Sequence, residues 1–410
     1  MKVTHLETHI VATPPPHIGG MYWIFVQIRT DCGIEGIGEV YAASFHPEVM
    51  KLAIEDVFER YLKGHNPHHV ERFYREAYSS GFTQRPDLTM MGVVSGLEMA
   101  CWDIIGKAAG KPVYELIGGK VHDKLRSYTY LYPENKRGEY DYNSVDLAVE
   151  CAIKNMEQGF TALKFDPAGP YSAYSGHQLT LEAMDKSAQF CARIREAVGN
   201  QCDLLFGTHG QMCVSSAVRL AKRLEPFDPL WFEEPVPPGQ HEAMARVAAK
   251  TSIPIATGER LTTKYEFHEV LRNHSASILQ MNLGRVGGIL EAKKIAALAE
   301  VHYAQIAPHL YNGPVGAAAS IQLATATPNF LIQESIMTWG GFHADVLQDP
   351  IRWEKGYIIP SEKPGLGVEL NMDVVKAMSP YKGRALHLSM DSKPYDVTQE
   401  SSTSWKVKPE

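Results

Sequence analysis

Short apolar runs that end in a polar or charged residue recur through the middle of the chain. Ala162-Leu163 leads into Lys164-Phe165-Asp166, Leu204-Leu205-Phe206 into Gly207-Thr208-His209, and Leu230-Trp231-Phe232 into Glu233. Ile253 to Ala256 then leads to Glu259, Ile278-Leu279-Gln280 to Asn282, Ile306-Ala307 to His309, and Phe330-Leu331-Ile332 to Glu334. Helical stretches separate them, at 144–158, 181–198, 215–224 and 290–301, the first two stopping at Gly159 and Gly199. Apolar strands alternating with helices predict a parallel sheet, and a long series of such units predicts a (β/α) barrel. In that architecture the C-terminal strand ends share one mouth, where catalytic groups sit.

Residues 1–125 follow a different pattern. Alternating strands are predicted over Val3 to Val11, Tyr22 to Arg29 and Gly36 to Tyr41, with a tight turn at Asp31-Cys32-Gly33. A helix is predicted over Val93 to Ala109, stopped by Gly110-Lys111-Pro112. This segment is an α+β domain, the barrel occupies 126–370, and the polar segment 371–410 is expected to return to the first domain or to fray.

At 410 residues the chain exceeds the size at which one core usually stops growing, in keeping with two domains. A hydrophobic share of 44% and a charged share of 21% are those of an ordinary globular protein. The net charge of −7 argues against a nucleic-acid partner, which calls for a basic face. The six cysteines fall at irregular spacings without a C-x-x-C pair and are expected to be free thiols in a reducing cytoplasm. Met1 to Thr4 begin a strand without an apolar signal stretch, and no apolar run is expected to approach the roughly 18 residues that span a bilayer. A cytoplasmic protein without a membrane partner is the expectation.

Glu233 and Glu259 end consecutive predicted strands, so a barrel would bring both carboxylates to one mouth, where a hard cation such as Mg²⁺ finds oxygen ligands. Around them stand Leu230-Trp231-Phe232-Glu233-Glu234-Pro235, Thr257-Gly258-Glu259-Arg260 and Gly284-Arg285-Val286-Gly287-Gly288-Ile289. Ala307-Pro308-His309, Ala100-Cys101-Trp102-Asp103-Ile104 with Gly106-Lys107, and Pro364-Gly365-Leu366-Gly367 complete the set. Together these motifs resemble the enolase superfamily over almost the whole chain. Within it the chain is similar to the mandelate racemase/muconate-lactonising branch, and nearest to its sugar-acid dehydratases of the galactonate dehydratase kind. The resemblance implies a (β/α)₇β barrel with an N-terminal α+β capping domain, a Mg²⁺ ion, a small-molecule sugar-acid substrate and a homo-oligomer. It also implies abstraction of a proton alpha to a carboxylate. That proton is so weakly acidic that the charge built on the carboxylate must be neutralised by a metal and fixed donors.

The resemblance assigns roles to individual residues. His309 matches the family's base, with Asn282 where relatives have an orienting Asp; an amide holds the ring but cannot stabilise an imidazolium by charge. Glu334 matches an acid that hydrogen-bonds the substrate carboxylate, and His209 a histidine that protonates the departing hydroxyl. Gly207 stands where the first metal-binding Asp belongs, and the small glycine leaves room for a carboxylate from the neighbouring strand. Asp166 is therefore expected to join Glu233 and Glu259 around the ion, with His209 as an alternative ligand. Lys164 is expected to face the substrate carboxylate, to act as a second base, or to pair with Asp166. The loop His17 to Trp23 resembles the family's closing loop, although its aromatics equally suit packing. Dehydration of an aldonate or aldarate is the leading expectation. The alternatives are cycloisomerisation of an anhydro-sugar acid or lactone, racemisation or epimerisation by Lys164 and His309, and a non-catalytic barrel.

Overall fold

The computed structural model describes residues 1–41, 44–166, 168 and 172–388; of the expected C-terminal segment 371–410, positions 389–410 lie outside the described residues. The chain forms two compact bodies. One comprises Met1–Arg126, Gly258–His268 and Gln280–Ser389, the other Ser127–Thr257 with Glu269–Leu279.

The first body opens with the α+β pattern predicted. Strands β1 (Val3–Ala12), β2 (Tyr22–Thr30) and β3 (Glu35–Val40) form an antiparallel sheet in that order. Helices α1 (Pro47–Tyr61), α2 (Val70–Tyr78) and α3 (Leu88–Ala109) share with it a core that includes Ile24, Val26, Ile54, Phe58, Phe73, Leu97 and Ile104. Asp87 caps α3 by accepting the Met90 N–H at 2.9 Å, and Gly110 ends it in the left-handed conformation at φ 65°. The expectation that no apolar run approaches a bilayer-spanning length is corrected by α3. Its 22 residues are long and apolar enough by composition, yet they are mostly buried as the core helix of this body.

After α4 (Val113–Leu116), eight strands alternate with seven helices in (β/α)₇β order. They are β4 (Leu125–Tyr130), α5 (Val145–Gln158), β5 (Ala162–Phe165), α6 (Leu181–Val198), β6 (Asp203–Phe206), α7 (Val214–Leu224), β7 (Trp231–Glu233) and α8 (His241–Ala248). There follow β8 (Ile255–Thr257), α9 (Lys264–Arg272), β9 (Ile278–Leu279), α10 (Ile289–Val301), β10 (Gln305–Ile306), α11 (Pro314–Thr325) and β11 (Gln333–Ser335). In the second body β4 to β9 pair in parallel and in chain order, with Thr129 beside Leu163, Leu163 beside Leu204, Phe206 beside Phe232, Glu233 beside Ala256 and Thr257 beside Leu279. Every residue of β5, β7 and β8 is buried, as a parallel sheet covered on both faces requires. In the first body an Ile306–Phe330 bridge, not a ladder, ties β10 to the segment entering β11.

Three buried carboxylates order the first body. Glu98 accepts the N–H groups of Ile289 (2.8 Å) and Leu290 (2.9 Å), which open α10, and the indole N–H of Trp102 (2.8 Å). A Cβ at Gly288 would lie 1.9 Å from Glu98 Oε2, so only glycine fits beneath this carboxylate. Glu39 likewise accepts the N–H groups of Gly313 (2.5 Å) and Gly316 (2.8 Å) at the start of α11. Asp103 accepts those of Ile37 (3.0 Å) and Leu366 (2.8 Å) and pairs with Lys107 at 2.8 Å. Burial, opposed by these N–H groups, pushes the Glu98 carboxyl up to about 8 and that of Glu39 up to about 7. Residues beyond 371 hydrogen-bond to β1, with Ala12 N–H donating to Met378 O and Tyr381 N–H to Ile10 O, each at 2.9 Å.

The aromatics of the His17–Trp23 segment are packed. The Trp23 indole N–H donates to Gly19 O at 3.0 Å, and its ring lies 4.7 Å from His343 and 5.3 Å from Phe342. Desolvation holds His343 down at about 4.

Two outcomes follow from this body. Glu98→Ala strands three donors, that of Ile289 buried and those of Leu290 and Trp102 half-buried, and is expected to cost about 3 kcal/mol, read as a lowered urea midpoint. His343 stays neutral in the fold while its unfolded counterpart takes a proton near pH 6.5. Its contribution is therefore present above that pH and lost as pH falls toward about 4, on the order of 3 kcal/mol. His343→Gln should flatten the acid limb of a stability–pH curve.

Candidate active site

The second body gathers four of the expected residues at the C-terminal ends of its strands. Lys164 is on β5 and Glu233 ends β7; both are buried, and Lys164 Nζ lies 2.6 Å from Glu233 Oε1. A Cβ at Gly207 would lie 3.0 Å from Lys164 Cε, so the small glycine lets the lysine stem pass beside it. Lys164 thus lies across β6 to reach Glu233. Burying two charges is tolerable here because they neutralise each other in hydrogen-bonding contact.

Asp166 follows β5 with its side chain buried and contacts His209. Its Oδ2 lies 3.2 Å from His209 Nδ1, and its Oδ1 accepts the Ala168 N–H at 3.2 Å. His209 follows β6, its backbone N–H donates to Gln211 Oε1 at 2.9 Å, and its side chain is 22% exposed, within reach of a ligand. The Thr208 hydroxyl, 2.5 Å from Glu233 O and 2.7 Å from Glu234 O, fastens the β6 end to the β7 end. Glu234 takes a left-handed backbone at φ 34°, which turns the chain sharply after Glu233. Neither Thr208 nor Gln211 carries a sequence signal of this kind.

The first body gathers the other four. Glu259 follows β8 by two residues, Asn282 follows β9, His309 follows β10 and Glu334 lies in β11. His309 Nδ1 is 3.0 Å from Asn282 Nδ2, and Asn282 Oδ1 accepts the Gly284 N–H at 2.8 Å. His309 Nε2 faces two carboxylates, Glu259 Oε2 at 3.4 Å and Glu334 Oε2 at 4.0 Å. Glu334 Oε2 also accepts the Leu310 N–H at 2.7 Å. All four side chains are at least nine-tenths buried. Arg285, to which the sequence assigns no role, donates to Glu259 O at 2.7 Å and lies over the Tyr41 ring at 4.4 Å, fixing the loop that carries Glu259.

This architecture is shared with known proteins. Residues 147–374 match the family model for the enolase C-terminal domain-like fold, and residues 11–118 that for the mandelate racemase/muconate lactonizing enzyme N-terminal domain. A D-galactonate dehydratase of Verminephrobacter eiseniae is 35% identical over 92% of this chain and 94% of its own length. A D-xylonate dehydratase of Haloferax volcanii is 33% identical over 92% of this chain and 88% of its own. Among solved structures, a Burkholderia SAR-1 protein assigned to the mandelate racemase/muconate lactonizing enzymes superposes with a TM-score of 0.96 at 74% identity, over 97% of this chain and 99% of its own. A mandelate racemase/muconate lactonizing enzyme-like protein from Roseovarius sp. TM1035 does so with a TM-score of 0.94 at 52% identity, over 97% and 100%. With both domains matched and the capping-domain-plus-barrel architecture in place, the chain belongs to the mandelate racemase/muconate lactonizing enzyme family of the enolase superfamily.

Proposed function

We propose that the protein is a Mg²⁺-dependent hydro-lyase that dehydrates an aldonic or aldaric acid. The observation that carries this reading is a set of buried acids, Asp166, Glu233 and Glu259, following β5, β7 and β8, accompanied by two imidazoles each held through Nδ1. The relatives named D-galactonate and D-xylonate dehydratases support the substrate class. The donor chemistry fits the ion, because carboxylate oxygens are the ligands Mg²⁺ favours. In this reading Asp166, Glu233 and Glu259 hold it, and His209 with Glu233 and Glu259 is the alternative set. When bound, the ion supplies positive charge to the substrate carboxylate as its alpha proton leaves.

The remaining work falls to this chain's own groups. Lys164, held by Glu233, adds fixed positive charge beside the carboxylate. In this reading His309 abstracts the alpha proton, Asn282 orients it, His209 assists loss of the beta hydroxyl, and Glu334 hydrogen-bonds the substrate carboxylate. Six free thiols accord with the cytoplasmic location this reading carries.

Incubation with Mg²⁺ in D₂O tests the reaction, using a panel of aldonates and aldarates that includes D-galactonate and D-xylonate, with anhydro and lactone forms alongside. A 2-keto-3-deoxy product carrying deuterium is expected. Ring opening of an anhydro acid without loss of water would establish cycloisomerisation in its place, and no turnover or exchange with any acid would end the reading. Calorimetric titration tests the ion: Asp166→Asn and Glu233→Gln should each weaken Mg²⁺ binding by about tenfold or more. An Asp166→Asn protein with undiminished affinity would remove Asp166 from the set.

A further inference from the structure

We infer that a cleft beside the free edge of β1 binds a small oxyanion, the phosphate or carboxylate end of a hydroxylated metabolite. The cleft lies wholly within the first body and does not rest on the proposed dehydration.

The sheet edge sets it up. β1 is an edge strand, and in an antiparallel pair alternate residues turn both backbone groups to the same side. Ala12 and Ile10 turn theirs outward to Met378 and Tyr381, so Thr8 turns its N–H outward as well. Beside Thr8 and Ile10 is a cleft of about 320 Å³, lined also from the start of α1 and from the segment 376–380. That volume is of the size that holds a small molecule.

The walls are rich in donors. Lys51 is half-buried on α1, and Lys376 is exposed near the end of the helix Met372–Ala377. Among the described residues neither lysine has a carboxylate partner. Three polar atoms of the lining residues, Thr8 Oγ1, Ser379 Oγ and His9 Nε2, are buried without a hydrogen-bond partner. Native proteins rarely leave such atoms unsatisfied, because each costs its desolvation. An oxyanion brings several acceptor oxygens to one place, and so engages ammonium groups, hydroxyls and an outward N–H together. Two positive charges in a recess also draw anions in by their field. Glu48 is the one acid in the lining, and it can accept from a ligand hydroxyl, which favours a hydroxylated body over a bare ion.

A cation suits the place less well. His5, Glu7 and His9 share one face of β1, with the two Nε2 atoms 3.5 and 3.8 Å from the Glu7 carboxylate. Burial first, then the charges of Lys376 and Lys51, hold the His9 ring below its ordinary value, against the opposing pull of Glu7 and a Gln27 hydrogen bond. The lysines that disfavour a proton on His9 would repel a metal ion there too.

Thr8 and His9 come from the start of the chain, Lys376 and Ser379 from near its end. A ligand held by all four fastens the C-terminal segment to β1, and anything that binds only the folded state raises its stability.

The test is calorimetric titration of the full chain at low ionic strength with inorganic phosphate, glucose 6-phosphate, succinate and uncharged glucose. At least one anion is expected to bind, with an affinity that falls as salt is added and with a raised melting temperature. Binding of the phosphate probes but not succinate assigns a phosphate ligand, and the reverse a carboxylate. Glucose 6-phosphate should bind more tightly than phosphate; equal affinities would remove the hydroxylated body from the claim. Lys51→Met and Lys376→Met keep the stems and should each weaken binding by about tenfold, with the anion-free melting temperature unchanged. Ser379→Ala should weaken it as well. Anion binding that survives intact in the double lysine variant would place it elsewhere and overturn the inference. So would the absence of binding by any anion at about 10 mM, or glucose bound as tightly as the anions.

Discussion

The fold of the first body depends on carboxylates buried against helix N-termini. The first turns of α10 and α11 present backbone N–H groups with no partner inside the helix, and Glu98 and Glu39 accept them across the domain. Removing such a carboxylate from water is costly, which is why both titrate far above an ordinary glutamate. The cost is offset because two oxygens meet several convergent donors at once. An amide could not substitute, since one of its ends would push N–H against N–H. The same logic, an oxygen placed where a donor points, recurs at Asn282 and Gly284.

Charge in the second body is arranged in pairs. Lys164 and Glu233 neutralise each other at 2.6 Å, and Asp166 is matched with an imidazole that can become positive. Gly207 admits the Lys164 stem beside it, since a Cβ there would lie 3.0 Å from Lys164 Cε.

Much of this was legible in the sequence. Strand positions, the eight-strand alternation, the caps at Gly110 and Gly159, and the acids at Glu233 and Glu259 follow from periodicity and turn chemistry, which act over a few residues. Partners were not legible. Lys164 and Glu233 are 69 positions apart, and a period of two says which face a side chain leaves from, not which neighbour it meets. The polarity around His309 depends on one backbone N–H whose direction no residue type announces. Helix α3 was legible as a helix but not in its apolar length: a helix enclosed on all sides has the composition of one in lipid, so apolar length alone cannot distinguish them.

The grip of Glu98 on Ile289 joins positions 191 apart, and that of Glu39 on Gly313 spans 274. During synthesis, therefore, the sheet and helices at the start of the chain leave the ribosome long before the turns they are built to hold. Until then two glutamates wait without their donors in a half-made protein, and the opening domain can settle only once most of the message has been translated.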